Sequence, residues 1–326
     1  MQAVYTIAGR RILIDALDDW SARSISYFFS QSFLQAVAVS GDPSRDAVIQ
    51  IRFGAPPPPL PPGLLNFKVP EEGVCYTDDR SLHFDFNGSR VNIGPGAQSR
   101  ADVWITHDYE FGSSVLSQIL SQALCGVLRR CDVYAFHGAG VIPRGHDNAL
   151  LITGESGCGK TTLTLQLAAC GWNYLADDTL ILTRNHQFLE AHALRKFFGL
   201  RRDTISALQL SQLAPASTAP EFKVRIAPQD LFSSNHVQRA RAAGIIFPTI
   251  TGKRESNLRR LDAAEAMTKL LRLSPWAGYD KPTAPKYLRF LADLARECAA
   301  FELFAGTDLL ENRVVAADLC ARCLNK

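Results

Sequence analysis

Residues 149–170 read ALLITGESGCGKTTLTLQLAAC. The apolar run 149–153 predicts a buried strand, and residues 160–170 predict a helix closed by Gly171. Between them, Gly154-Glu155-Ser156-Gly157-Cys158-Gly159-Lys160-Thr161 fits G-x-x-x-x-G-K-[ST]. Strand, glycine-rich turn and helix in that order form a phosphate-binding loop. Glycines let the loop curl so that successive backbone N–H groups face phosphate oxygens. The helix N-terminus adds partial positive charge. Lys160 can reach the β- and γ-phosphates, and the Thr161 hydroxyl can coordinate Mg²⁺. The expected nucleotide-binding set is Gly154, Glu155, Ser156, Gly157, Cys158, Gly159, Lys160, Thr161 and Thr162, with ATP and Mg²⁺ as cofactors. A thiol at a helix N-terminus can ionise early, which leaves oxidation of Cys158 open as a lesser reading and not the favoured one.

One helix and one strand later comes Ala176-Asp177-Asp178. The return strand is expected to bring this pair back beside the loop. Two carboxylates near a triphosphate can divide labour: one binds Mg²⁺ and the other accepts the proton of an attacking hydroxyl. Spacing leaves open which does which. His137, in Phe136-His137-Gly138-Ala139-Gly140, lies on the strand before the loop strand and is expected at the same site, orienting the base or touching phosphate. ATP-driven motors and pumps fit poorly, because their acidic Mg²⁺ ligand sits on a later strand.

Working outward, the chain changes character near residue 110. Residues 4–17 and 48–53 alternate as strands do, and 74–76, 82–86, 91–93 and 103–106 read as short strands. Asn87-Gly88 is a hairpin signal. Residues 21–38 contain one helical pattern, and the six prolines within 55–62 make a stiff extended connection. Residues 114–129 form a strong amphipathic helix ending in Arg129-Arg130. After it, strands and helices alternate through residue 304, and Asp262 with Glu265 predicts a capping box. The expected division is a mainly β domain over 1–110, a candidate docking module, and an α/β domain over 111–326.

Composition excludes other classes. The chain has 326 residues, 47% apolar and 21% charged, long enough for two stable cores. A net charge of +3 is too small to imply nucleic acid or a membrane surface. No apolar run spans a bilayer and no secretion signal is visible, so a cytoplasmic protein is expected. The eight cysteines form no framework. Cys320 and Cys323 make one C-x-x-C without a second ligand pair, which suits buried apolar packing better than a zinc site.

The segments FHGAGV, GESGCGKT and LADDTL together resemble the HPr kinase/phosphorylase family in order and spacing, over about residues 130 to 182. The resemblance implies a phosphoenolpyruvate carboxykinase-like fold and transfer of the γ-phosphoryl group of ATP to a serine hydroxyl. It implies that Lys160 holds phosphate, that Thr161 and Asp178 serve Mg²⁺, and that Asp177 is the base. The R-G-x-G segment of HPr-directed enzymes is not matched by LRKFFG at 194–199, and residues 1–110 do not resemble their N-terminal domain. A divergent member is implied, such as a kinase that modifies a serine of a lasso precursor peptide. The implied partner is a peptide or an HPr-like protein, and HPr-type enzymes associate with themselves. Arg195, Lys196, Arg201, Arg202, Lys223 and Arg225 are candidate phosphate contacts. Lys253, Arg254, Arg259 and Arg260 read as surface. A small-molecule hydroxyl kinase and a non-catalytic nucleotide-binding regulator are the alternatives.

Overall fold

The structure is a computed structural model that describes residues 1–32, 34, 36–37, 45–94, 99–208, 210, 224–227, 231 and 236–324. It is mixed α/β with two large sheets and divides into two compact units. Met1–Ala135 with Pro275–Leu288 form one, and Phe136–Ser274 with Arg289–Lys326 form the other.

The first unit is built on a nine-stranded sheet. Its opening is a hairpin, Gln2–Ile7 against Arg10–Ala16, where the periodicity suggested one long strand. The turn is Ala8-Gly9, both at positive φ (47° and 79°), a backbone the twist of the flanking strands favours. Alanine is not a usual residue there, so the turn was hidden. Asn87-Gly88, at φ 52° and 93°, makes the predicted tight turn between Leu82–Phe86 and Ser89–Gly94. The helix Asp19–Ser30 is shorter than the expected 21–38 and is capped by Asp18, which accepts from the Ser21 amide.

The amphipathic helix Ser114–Arg130 was expected to open the second domain. It packs instead on the first sheet, against the strands Ala47–Phe53, Leu82–Phe86, Ser89–Gly94 and Ser99–Ile105. It buries Leu116, Ile119, Leu120, Leu124, Val127 and Leu128 there, each contributing about 1.5–3 kcal/mol. A Cβ on Gly126 would collide with Ile93, so glycine permits this close approach. Residues 275–288 return to the same unit. Asp280 pairs with Arg129 (3.0 Å) and Arg130 (3.1 Å), and Tyr287 stacks on Tyr134. An apolar helix face does not name the sheet it will cover, which is why the boundary near 110 fails.

The second unit holds an eight-stranded sheet. Asn148–Thr153, Arg239–Ile250 and Ala299–Ala305 lie side by side and parallel, and their carboxyl ends open at one edge. In open α/β sheets that edge is where ligands bind. Asn148–Thr153 also pairs antiparallel with Tyr134–Ile142, which in turn lies next to Thr179–Arg184. The helix Lys160–Ala169 is packed by the helix Arg313–Arg322, and Cys320 and Cys323 are buried in that apolar cluster. The predicted capping box of Asp262 and Glu265 opens Ala263–Arg272. The strands Leu189–Ala193 and Asn257–Leu261 were not legible in the sequence, being only five residues long and each broken by charged or polar side chains.

Candidate functional site

The loop after Asn148–Thr153 turns on glycines: Gly157 and Gly159 sit at φ 84° and 96°, which L side chains resist. Gly159 caps the helix Lys160–Ala169 in the left-handed conformation, and no side chain caps that terminus. The first amides of the helix are therefore left for an anion. Lys160 is buried and curls back, its Nζ donating to the carbonyls of Gly154 (2.8 Å) and Glu155 (2.9 Å). Ser156, Gly157, Cys158, Gly159, Lys160, Thr161 and Thr162 all line one cleft of about 390 Å³, a volume within the roughly 300–1,000 Å³ of small-ligand sites. Gly154 and Glu155 support the loop through their carbonyls.

The two acids part company at a tight turn. The Thr179 amide donates to the Asp177 carbonyl (2.8 Å), with Asp178 between them at φ 68°. Aspartate tolerates this strained geometry better than most residues. Asp177 is 3% exposed, and its carboxylate accepts from Thr161 Oγ1 at 2.9 and 3.1 Å. Asp178 is 58% exposed in its side chain, lines the cleft, and lies 3.7 Å from His137 Nδ1. His137 is the exposed residue of an otherwise largely buried strand, Tyr134–Ile142. The Gly138 amide donates to the Asp178 carbonyl (3.0 Å), which fixes the two neighbours together. The expected site residues thus gather at one place. The expected partner of Thr161, however, was Asp178, and the contact is made by Asp177.

The donor set suits a small hard cation. A hydroxyl and a carboxylate are oxygen ligands of the kind Mg²⁺ takes, and Mg²⁺ uses one or two protein groups beside phosphate oxygens. Among the described residues no cluster of three or more His, Cys, Asp or Glu is placed to hold a metal. Cys158 does not follow the lesser reading of an early-ionising thiol. Burial pushes its thiol up, against the pull of Lys160, whose Nζ is 3.9 Å from the sulfur.

The rest of the cleft was not foreseen, apart from one cation. Arg201 lines it, while Lys223 lies outside the described residues. Pro248, Ile250, Leu303 and Leu309 supply an apolar wall from the ends of the parallel strands and the turn beyond. The loop 251–256 is held to that turn by Ser256, whose amide donates to Asp308 (2.9 Å) and whose hydroxyl accepts from the Gly306 amide (2.8 Å). Nothing in these residues' local pattern marks them, because only the parallel pairing brings them to the loop.

No family model matches the chain, and no curated protein matches it. Among solved structures, the Hpr(Ser) kinase/phosphatase from Coxiella burnetii aligns over 39% of this chain and 70% of its own, at 16% identity and a TM-score of 0.28. At that score the likeness carries no weight for function. No helix among the described residues is long and apolar enough to cross a membrane.

Proposed function

We propose that this chain is a Mg²⁺-dependent phosphotransferase that moves the γ-phosphoryl group of ATP to a hydroxyl, with a serine of a peptide or protein as the acceptor. The observation that carries this reading is the contact of Thr161 with Asp177 beneath an uncapped glycine-loop helix terminus, with Asp178 and His137 facing the same cleft. The acceptor class rests on the motif likeness of FHGAGV, GESGCGKT and LADDTL.

The roles follow from burial. Thr161 and Asp177 would hold Mg²⁺, which supplies neutralisation of the phosphate oxygens when bound. The loop amides and Lys160 bind and orient the phosphates, Lys160 exchanging the Gly154 and Glu155 carbonyls for phosphate oxygens. Asp178, exposed to the cleft, accepts the proton of the attacking hydroxyl, and His137 positions it. The hydroxyl oxygen bonds to the γ-phosphorus as the bond to the β–γ bridging oxygen breaks. This reverses the roles that the resemblance implied for Asp177 and Asp178.

The test is ATP binding with and without Mg²⁺, followed by transfer of labelled γ-phosphate to candidate peptides. Mg²⁺-dependent binding that is lost in Asp177→Asn is expected. Wild-type protein that binds no nucleotide at any Mg²⁺ concentration would refute the reading.

A further inference from the structure

The phosphate cleft does not end at the loop. A second cavity of about 200 Å³ adjoins it, and Gln166, Ala207 and Leu310 line both. Thr162, Gln166 and Ala169 follow one another at i, i+4 and i+7 along the helix Lys160–Ala169. Residues so spaced share a helix face, so this face runs from the phosphate loop into the recess. At 1.5 Å per residue, Gln166 stands about 6 Å farther along the axis than Thr162. The recess is walled by Leu165, Ala169, Leu208 and Leu210, with Glu311 and Arg313 beside them. His137 and Asp178 line the cleft and not the recess.

Gln166 is the polar group shared by the two spaces. It is 4% exposed, and its Nε2 donates to the Leu309 carbonyl. Leu309 O can only accept, so the amide is fixed with its nitrogen toward Leu309 and its oxygen free of that bond. Among the described residues no donor meets Gln166 Oε1. The oxygen is not one of the buried atoms left without a partner, so it opens onto the cavity, where water holds it until a ligand donor takes its place.

We infer that the recess takes the base of the nucleotide, and that Gln166 Oε1 accepts from an exocyclic amine on that base. The inference rests on the nucleotide reading given above and adds base selectivity to it. An amino-bearing base such as adenine satisfies the oxygen, whereas the 6-oxo counterpart would set two acceptors against each other. The apolar walls suit the faces of a heterocycle, and the helix face supplies the spacing for a ribose between base and phosphates. Gln166 touches the base alone, so the contact selects the nucleotide without entering phosphoryl transfer.

The experiment is competition binding to the full chain with the Mg²⁺ forms of ATP, ITP and inorganic tripolyphosphate, repeated on Gln166→Met. Wild type is expected to bind ATP about tenfold more tightly than ITP, the effect of one satisfied against one opposed hydrogen bond. Gln166→Met is expected to bring ATP to the level of ITP while tripolyphosphate binding stays the same. Equal binding of ATP and ITP by wild type overturns the inference, and tripolyphosphate binding in that same experiment leaves the phosphate-loop reading standing. Failure to bind any of the three overturns both. The comparison on wild type decides the matter even where Gln166→Met does not fold.

Discussion

Thr161 Oγ1 lies 2.9 and 3.1 Å from the two carboxylate oxygens of Asp177, while the adjacent Asp178 turns its carboxylate to His137 at 3.7 Å. One residue along the chain thus separates a buried carboxylate under the loop from an exposed one in the cleft. The positive φ of Asp178 makes the separation, because it reverses the chain within a single residue.

The two acids should therefore fail differently. Asp178→Asn is expected to keep Mg²⁺-dependent ATP binding and to lose on the order of 10²- to 10⁴-fold in transfer rate, the usual cost of a positioned base. Asp177→Asn is expected to weaken Mg²⁺-dependent binding itself. Titration of ATP by calorimetry, with single-turnover transfer alongside, separates the cases. Identical defects in the two variants would contradict the assignment.

Gly159→Ala tests the loop backbone. The position has room for a methyl group, its nearest neighbour being Ile250 at 3.8 Å, yet its φ is 96°. The substitution should cost about 1–2 kcal/mol through left-handed strain alone. Weakened tripolyphosphate binding with a normal thermal transition elsewhere is the expected outcome. Unchanged affinity would show that the loop can bind phosphate in another conformation.

Asp280 is the acceptor for buried Arg129 (3.0 Å) and partly buried Arg130 (3.1 Å), and Arg129 is further packed on Trp276. Its removal leaves positive charge in the interior of the first unit. Asp280→Ala should lower stability by about 3–5 kcal/mol, the range for breaking a buried pair by deleting one partner. Urea unfolding followed by fluorescence measures this. A loss below about 1 kcal/mol, the scale of an exposed pair, would mean that the cluster is hydrated.

Cys158 should be a slow nucleophile. Burial raises its thiol above the ordinary value, and the pull of Lys160 does not reverse this. Only the thiolate reacts, so at neutral pH the reactive fraction is smaller than for a free cysteine, and alkylation should keep accelerating beyond pH of about 8.5. Iodoacetamide labelling across pH, read by peptide mass analysis, checks this. Faster labelling than a free thiol at neutral pH would restore the idea of a redox-sensitive loop.

Much of the second unit was legible in the sequence for local reasons. The glycine turn before Lys160, the helix behind it and the capping box at Asp262 each depend on residues within a few positions of one another. The hairpin at Asn87-Gly88 is read from two residues that accept positive φ. The hairpin at Ala8-Gly9 escaped because its first residue has a side chain poorly suited to that backbone. Gln166 escaped because a single glutamine in an apolar helix carries no signal until the neighbouring turn supplies the Leu309 carbonyl.

Sequence alone was enough to place a glycine-rich turn at 154–159 ahead of a helix, with a pair of acids at 177 and 178 downstream of that helix. Glycine backbone freedom, helix periodicity and carboxylate chemistry all act over short stretches of chain. Tertiary structure alone decided which acid meets Thr161, which sheet the helix Ser114–Arg130 covers, and what walls stand around the cleft. Those outcomes depend on the direction of a strained turn and on parallel pairing between strands some ninety residues apart in the chain, as Leu151 with Ile245. Contacts of that separation leave no periodic trace in the residues that make them.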